Sequence, residues 1–177
     1  MPDDIYKLLV EYYNAAYDDL NFVSIAEASQ NLGHSDRRVI VRPQINQFGR
    51  IQIRAEIFGT VNALRYLRNS FILAKFIQSN GSVKIYSGQV QFFFEHEVNI
   101  LKERKTHCLA YVKWFKSVLN YQKRFHFQID DDNESCNVEI WSKEFEENSR
   151  DCIIPVHNIY SQFIHCSYEI SKEHIWL

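Results

Sequence analysis

The sequence predicts a mainly β fold: a small, antiparallel, partly closed barrel preceded by an N-terminal helix. Three observations carry this expectation. Between Tyr86 and Phe115, "YSGQVQFFFEHEV" and "HCLAYVKWFK" read as two aromatic-rich strands around a short charged turn, "NILKERKT". Further on comes "DCIIPVHNI", an apolar run with a proline at its centre. Thirteen Phe, ten Tyr and three Trp against a single Met supply a core of rigid rings, which suits sheet packing better than a helix bundle.

Taken in order, "DDIYKLLVEYYNAAYDDL" places Ile5, Leu8, Leu9, Tyr12, Tyr13 and Ala16 at three- and four-residue steps, with Asp3 and Asp4 where a helix dipole favours acids. That segment predicts a helix, and "NLGHSD" a loop after it. From Val39 the period becomes two: Val39 and Val41, then Ile51, Ile53, Ala55 and Ile57 alternating with Gln52, Arg54 and Glu56, predict half-buried strands with Gly49 in the turn between them. "SFILAKFIQSNGSVKIYSGQV" predicts a hairpin with a type I′ turn at Asn80-Gly81, and Gly88 a bulge or bend in the returning strand. Strands follow at 89–98 and 107–116, with Cys108, Ala110, Val112 and Trp114 on one face of the second and Leu109, Tyr111, Lys113 and Phe115 on the other. "RFHFQI" reads as a short strand and "DDDNES" as an exposed loop. "CNVEIWSKEF" and "DCIIPVHNIYSQFIHCSYEI" complete the set, Pro155 being confined to an edge, a strand end or a bulge.

At 177 residues the chain suits one ordinary domain, or a helical arm plus one domain, and the division expected is a lead-in over 1–36 and a β-domain over 37–177. Five Gly and three Pro leave no room for a long flexible linker. No segment reaches the roughly 18 unbroken apolar residues of a membrane span, and the start, "MPDDIYKLL", is acidic where a secretory signal would be basic, so a soluble intracellular protein is expected. Cys108, Cys136, Cys152 and Cys166 lie far apart without a C-x-x-C pair, which predicts free, buried thiols. No cofactor motif or small-molecule substrate site is legible.

The net charge of −2 hides a strong asymmetry. Residues 1–36 hold one Lys against seven acids, 37–75 hold seven Arg and one Lys against Glu56, and 130–177 hold three basic residues against eleven acids. Arg37, Arg38, Arg42, Arg50, Arg54, Arg65 and Arg68 are the strongest binding signal, because arginine without interleaved lysine favours bidentate contacts to phosphate or carboxylate. They are candidate nucleic-acid contacts. The simpler competing reading is that they pair with the acidic ends of the same chain.

Other constellations have blander explanations. Asp130, Asp131 and Asp132 invite a two-metal nuclease, yet such ions need carboxylates brought from separate elements, and neighbours followed by Asn and Glu make a solvated turn. His107, Cys108, Cys152, His157, His165 and Cys166 lack paired zinc spacing, and strand alternation sends adjacent His and Cys to opposite faces. A Cys152–His157 nucleophilic pair lacks an oxyanion loop or an orienting Asn. Tyr111, Trp114, Phe115 and Trp141 are candidates for an aromatic cage that takes a methylated lysine of a peptide, although most rings in such a chain are core.

The order "SGQVQFFFEH", "LAYVKWFK", "VEIWSKEF", "DCIIPVHNI" resembles the bromo-adjacent homology (BAH) type of β-fold. More closely, "GRIQIRAEIFGT", "SFILAKFI", "GQVQFFFEHEV", "LAYVKWFK" and "IIPVHNI" resemble the domain near the carboxyl end of fungal transposon-derived proteins of CACTA-like type, over about residues 39–165, with residues 1–20 similar to their helical lead-in. The resemblance implies a non-catalytic accessory domain of a mobile-element protein, nuclear, contacting chromatin protein or nucleic acid, with the catalytic acids in a separate upstream domain. It transfers no functional residue. "SKEHIWL" shows no obvious finishing strand, which would suit a fragment or relic.

Overall fold

The computed structural model describes residues 1–30, 37–100, 103–118, 141–170 and 173–176. Helix α1, Asp3–Ala16, forms where the three- and four-residue spacing is, with Asp3 and Asp4 in its first turn and Ile5, Leu8, Leu9, Val10 and Tyr13 buried. Asn14 fastens the next segment to it: its side-chain amide donates to the carbonyls of Val10 and Phe22, and its Oδ1 accepts from the Phe22 N–H. Strand β1, Asn21–Val23, pairs parallel with β2, Arg38–Ile40. Between them α2, Ile25–Gln30, starts with a capping box in which Ser24 and Glu27 exchange hydrogen bonds, and the backbone donor at Ser24 holds the Glu27 carboxyl below its ordinary value.

Short strands β3, Asn46–Phe48, β4, Arg50–Ile53, and β5, Glu56–Gly59, lead to a 3-10 turn over Leu64–Ser70 that is kinked at Tyr66. The body consists of β6, Phe71–Ile77, β7, Val83–Ile100, β8, Glu103–Ser117, β9, Trp141–Phe145, β10, Ile153–Pro155, β11, Ile159–Gln162, β12, Ser167–Ile170, and β13, Glu173–Trp176. Their antiparallel order is β11-β6-β7-β8-β9-β13-β12, with β3 beside β7 and β10 beside β8. Among the described residues β11 and β12 do not pair with each other, so the sheet is not a closed barrel.

The β7–β8 ladder is the spine. It runs from Gly88 opposite Trp114 to Ile100 opposite Glu103, with Gln91 as an extra, unpaired residue between Val90 and Phe92. Alternation puts Val112 and Trp114 on one face and Leu109 and Tyr111 on the other, and all four are buried. Gly88 stays in register with Ile72 and Trp114, and the bulge expected there falls three residues later. Its requirement for glycine is steric: a Cβ would stand 2.6 Å from Trp114 Cε3 and 2.7 Å from Val112 Cγ1.

Beneath α1 lies a buried polar relay. His96 Nε2–H donates to the Arg42 carbonyl at 2.8 Å, which leaves Nδ1 to accept from the Tyr13 hydroxyl, also at 2.8 Å. This fixes the neutral Nε2–H tautomer, with His96 only 1% exposed. Burial pushes His96 below the usual imidazole value and raises Tyr13; it also raises neighbouring Tyr12, to about 12. His107, opposite His96 across the ladder, packs edge-on to Tyr13 and hydrogen-bonds to the Tyr17 hydroxyl at 3.2 Å.

Several expectations are corrected. The alternating run 51–57 is a hairpin, because Ile53 pairs with Glu56 and the chain reverses at Arg54-Ala55, where Arg54 takes φ 56°. The β6–β7 connection is a five-residue loop, Gln78–Ser82, closed by the Gln78 N–H on the Ser82 carbonyl; Gly81 alone takes positive φ there, so it is not a two-residue type I′ turn. "NILKERKT" is mostly strand, since pairing continues to Ile100–Glu103. "SKEHIWL", expected without a finishing strand, contributes β13, whereas Pro155 ends β10, a strand end being among the positions its missing N–H allows. Cys152 is buried, Cys108 half-buried and Cys166 exposed, all as free thiols. "NLGHSD", "RFHFQI", "DDDNES", Asp130, Asp131, Asp132 and Cys136 lie outside the described residues.

Three outcomes test this packing. Gly88→Ala should lower unfolding stability by about 1–3 kcal/mol in urea titrations, because Trp114 and Val112 cannot both yield. Tyr13→Phe should cost about 1–3 kcal/mol by leaving His96 Nδ1 buried without a donor. Since the folded value of His96 lies below the unfolded value of about 6.5, the unfolded state binds more protons between the two. The stability that His96 contributes is therefore complete above about pH 6.5 and falls on acidification through that window, and His96→Gln should reduce, without abolishing, the fall in urea midpoints between about pH 7.5 and 5.5, since burial lowers His107 and His165 too.

Candidate functional site

Two surfaces gather the chemistry-bearing residues. The first is a cleft of about 500 Å³ beside the start of the ladder. Phe76 lies opposite Lys84, Ala74 opposite Tyr86 and Gly88 opposite Trp114, so strand alternation brings Phe76, Tyr86 and Trp114 to one face. Their rings meet edge-on or tilted, at 5.4 Å for Phe76–Tyr86, 5.6 Å for Phe76–Trp114 and 6.2 Å for Tyr86–Trp114. Trp141, half-buried and opposite Ser117, lines the cleft as well.

The other wall is acidic. Glu146, Glu147 and Asp151 line the cleft. One backbone and one side-chain hydrogen bond seat this segment on Trp114: Glu146 N–H donates to the Trp114 carbonyl at 2.8 Å, and the indole Nε1–H of Trp114 donates to the Asp151 carbonyl at 2.9 Å. The hydrogen bond to Glu144 raises Lys116 above the ordinary lysine value, and the charges of Glu146 and Glu147 add to it. Lys84 and Arg150 are the cations of the lining; the Lys84 ammonium stands 4.7 Å from the Tyr86 ring centre and Arg150 is 3.5 Å from Asp151.

Of the four rings predicted as a cage, Trp114, Phe115 and Trp141 border this cleft. The Phe115 ring stacks on Phe145 at 4.8 Å and Phe71 at 6.3 Å. Tyr111 is not in the lining: it packs on Phe92 and donates to Asn148 Oδ1 at 3.1 Å. Phe76, Tyr86 and the three acids were missed. The signal for the rings was the hairpin parity, which places Phe76 and Tyr86 on the Trp114 face once the register is known, and the signal for the acids was the run after Trp141.

The second surface is built from arginines. Arg50 begins β4 and Arg54 occupies the hairpin turn, while Arg65 and Arg68 lie on the Leu64–Ser70 turn, which Asn69 ties to β5 by donating to the Ile57 carbonyl. Arg50 donates to the Tyr66 hydroxyl at 2.7 Å, and the guanidinium carbons of Arg50 and Arg65 stand 5.3 and 5.7 Å from the Tyr66 ring centre. Arg37, Arg38 and Arg42 belong to the β2 region instead; Arg37 and Arg42 are exposed and Arg38 is half-buried. Among the described residues the ion pairs are Arg104–Glu97, Lys116–Glu144 and Arg150–Asp151, none of which involves Arg37, Arg42, Arg50, Arg54, Arg65 or Arg68.

No three His, Cys, Asp or Glu side chains come together to hold a metal among the described residues. The Cys152 thiol accepts from the Ser149 N–H at 3.5 Å, and burial raises its value, the opposite of an activated thiolate. No family model, curated protein or solved structure matches this chain.

Proposed function

We propose that the chain is a non-catalytic interaction module that takes a cationic side chain of a protein partner, a lysine or methylated lysine of a chromatin tail, into the aromatic and acidic cleft. The reading extends the resemblance to BAH-like domains of transposon-derived proteins, a partly closed barrel working in the nucleus. The observation that carries it is the juxtaposition of Phe76, Tyr86 and Trp141 with Glu146, Glu147 and Asp151 around one cleft.

Two kinds of attraction act on such a cation. Ring faces attract a soft cation by about 0.5–1 kcal/mol when exposed and about 2 kcal/mol when desolvated, and alkylation of the ammonium lowers the cost of removing its water. Carboxylates on the opposite wall supply attraction that acts over a longer range and falls with salt. Lys84 already places its ammonium over Tyr86, so the ring is positioned to receive one.

Calorimetric titration with short basic peptides carrying unmodified, trimethylated or acetylated lysine tests the proposal. Binding should favour the trimethylated peptide over the acetylated one, and Tyr86→Ala or Trp141→Ala should weaken it by about five- to thirtyfold. Trp114 is unsuitable for this purpose, being 7% exposed and packed on Gly88. Equal binding of trimethylated and acetylated peptides, or indifference to Tyr86→Ala together with Glu146→Gln, would refute the cleft as the site.

A further inference from the structure

We propose that Arg50 and Arg65, held at Tyr66, together with Arg54 of the hairpin turn and Arg68 of the following turn, bind the phosphate backbone of single-stranded nucleic acid. The site shares no residue with the aromatic cleft and does not rest on its function. Three independent observations converge on it.

The first is electrostatic. Two guanidinium groups are held against one ring, at 5.3 and 5.7 Å from its centre, and neither has an acidic partner among the described residues. Like charges gathered this way repel, and an anion between them relieves the repulsion while accepting the forked N–H donors. Tyr66 acts as the organiser: its hydroxyl accepts from Arg50, which limits where that guanidinium can point.

The second is conformational. Arg54 has φ 56°, and among the described residues it is the one non-glycine with positive φ. Gly or Asn would occupy that turn position with less strain. A cationic side chain kept at a hairpin tip against the backbone's preference points to use of the side chain.

The third is the setting. The arginines of the 3-10 turn alternate with exposed apolar residues, Leu64 at 89% and Leu67 at 37%, and Ile57 of β5 is exposed at 38%. Unpaired bases can lie on such side chains while their phosphates meet the arginines; a duplex keeps its bases stacked inside. Four cations running from the hairpin tip to the turn match a repeating phosphate chain better than the lone phosphate of a modified peptide.

Fluorescence anisotropy of labelled oligo-dT, oligo-U and a duplex of equal length provides the test, with melting temperatures recorded for every variant. Single strands should bind more tightly than the duplex, and affinity should fall about fifteen- to fiftyfold between about 50 and 200 mM salt, as expected for three or four phosphate contacts. Arg65→Glu should weaken binding about tenfold, whereas Lys7→Glu, an equal charge change on α1, should alter it less than about twofold. Arg65→Gln serves if the reversal impairs folding. Arg54→Gly should keep or raise the melting temperature while lowering affinity, a combination that a merely structural arginine would not give. Tyr86→Ala should leave oligonucleotide binding unchanged, which separates this site from the cleft. The proposal is overturned by any of four results: no saturable binding at low salt, equal weakening by Lys7→Glu, tighter binding of duplex, or stronger competition from a phosphopeptide than from unlabelled oligonucleotide at equal phosphate concentration. Preference between oligo-dT and oligo-U assigns the strand to DNA or RNA, and either assignment supports the site.

Discussion

A two-stranded ladder that is apolar on both faces cannot stand alone in water, and the rest of this structure answers that constraint. Strands β7 and β8 carry Trp114 and Val112 on one side and Leu109 and Tyr111 on the other, all buried. On one side Tyr13 of α1 meets His96 and His107. On the other, Trp114 lies over the bare Cα of Gly88 and packs with Phe76 and Tyr86. The polar relay through Tyr13, His96 and the Arg42 carbonyl gives the helix a defined seat, because an apolar contact alone tolerates sliding whereas two buried hydrogen bonds do not.

Where periodicity and a local physical signal agreed, the sequence was readable. The spacing in 3–16 marked α1, the Asn-Gly pair marked the β6–β7 reversal, and Pro155 marked the end of β10. Where a pattern survives a reversal of direction, reading fails: Ile51, Ile53, Ala55 and Ile57 keep their alternation although the chain turns back at Arg54, and Ile57 comes to lie beside Gln52. Strand β1 and helix α2 are only three and six residues long, held by Asn14 and by the Ser24–Glu27 box, so neither offers a periodic signal. At the candidate site Trp114 and Trp141 were legible as exceptional residues. Their companions Phe76 and Tyr86 were not, because cross-strand register decides which rings share a face.

The charge blocks of the sequence become separate surfaces. The acidic carboxyl-terminal block supplies Glu146, Glu147 and Asp151 to the aromatic cleft, and the basic block supplies the four arginines around Tyr66 and the β4–β5 hairpin. Near-neutrality of the whole chain therefore conceals oppositely charged blocks, acidic at 1–36 and 130–177 and basic at 37–75.

The single unpaired residue Gln91 works as a phase shifter. Upstream of it, even-numbered residues such as Gly88 and Val90 share a face with Trp114 and Val112; downstream, that role passes to Phe93, opposite Ala110, and Phe94 and His96 are turned toward the helix side. Deletion of Gln91 itself would close the bulge and keep Phe92 opposite Tyr111 and His96 opposite His107, whereas a second inserted residue would turn His96 and Phe93 to the opposite faces. The ladder can thus absorb a shortening at the bulge that it could not absorb at a fully paired position, where register and side-chain direction are fixed together.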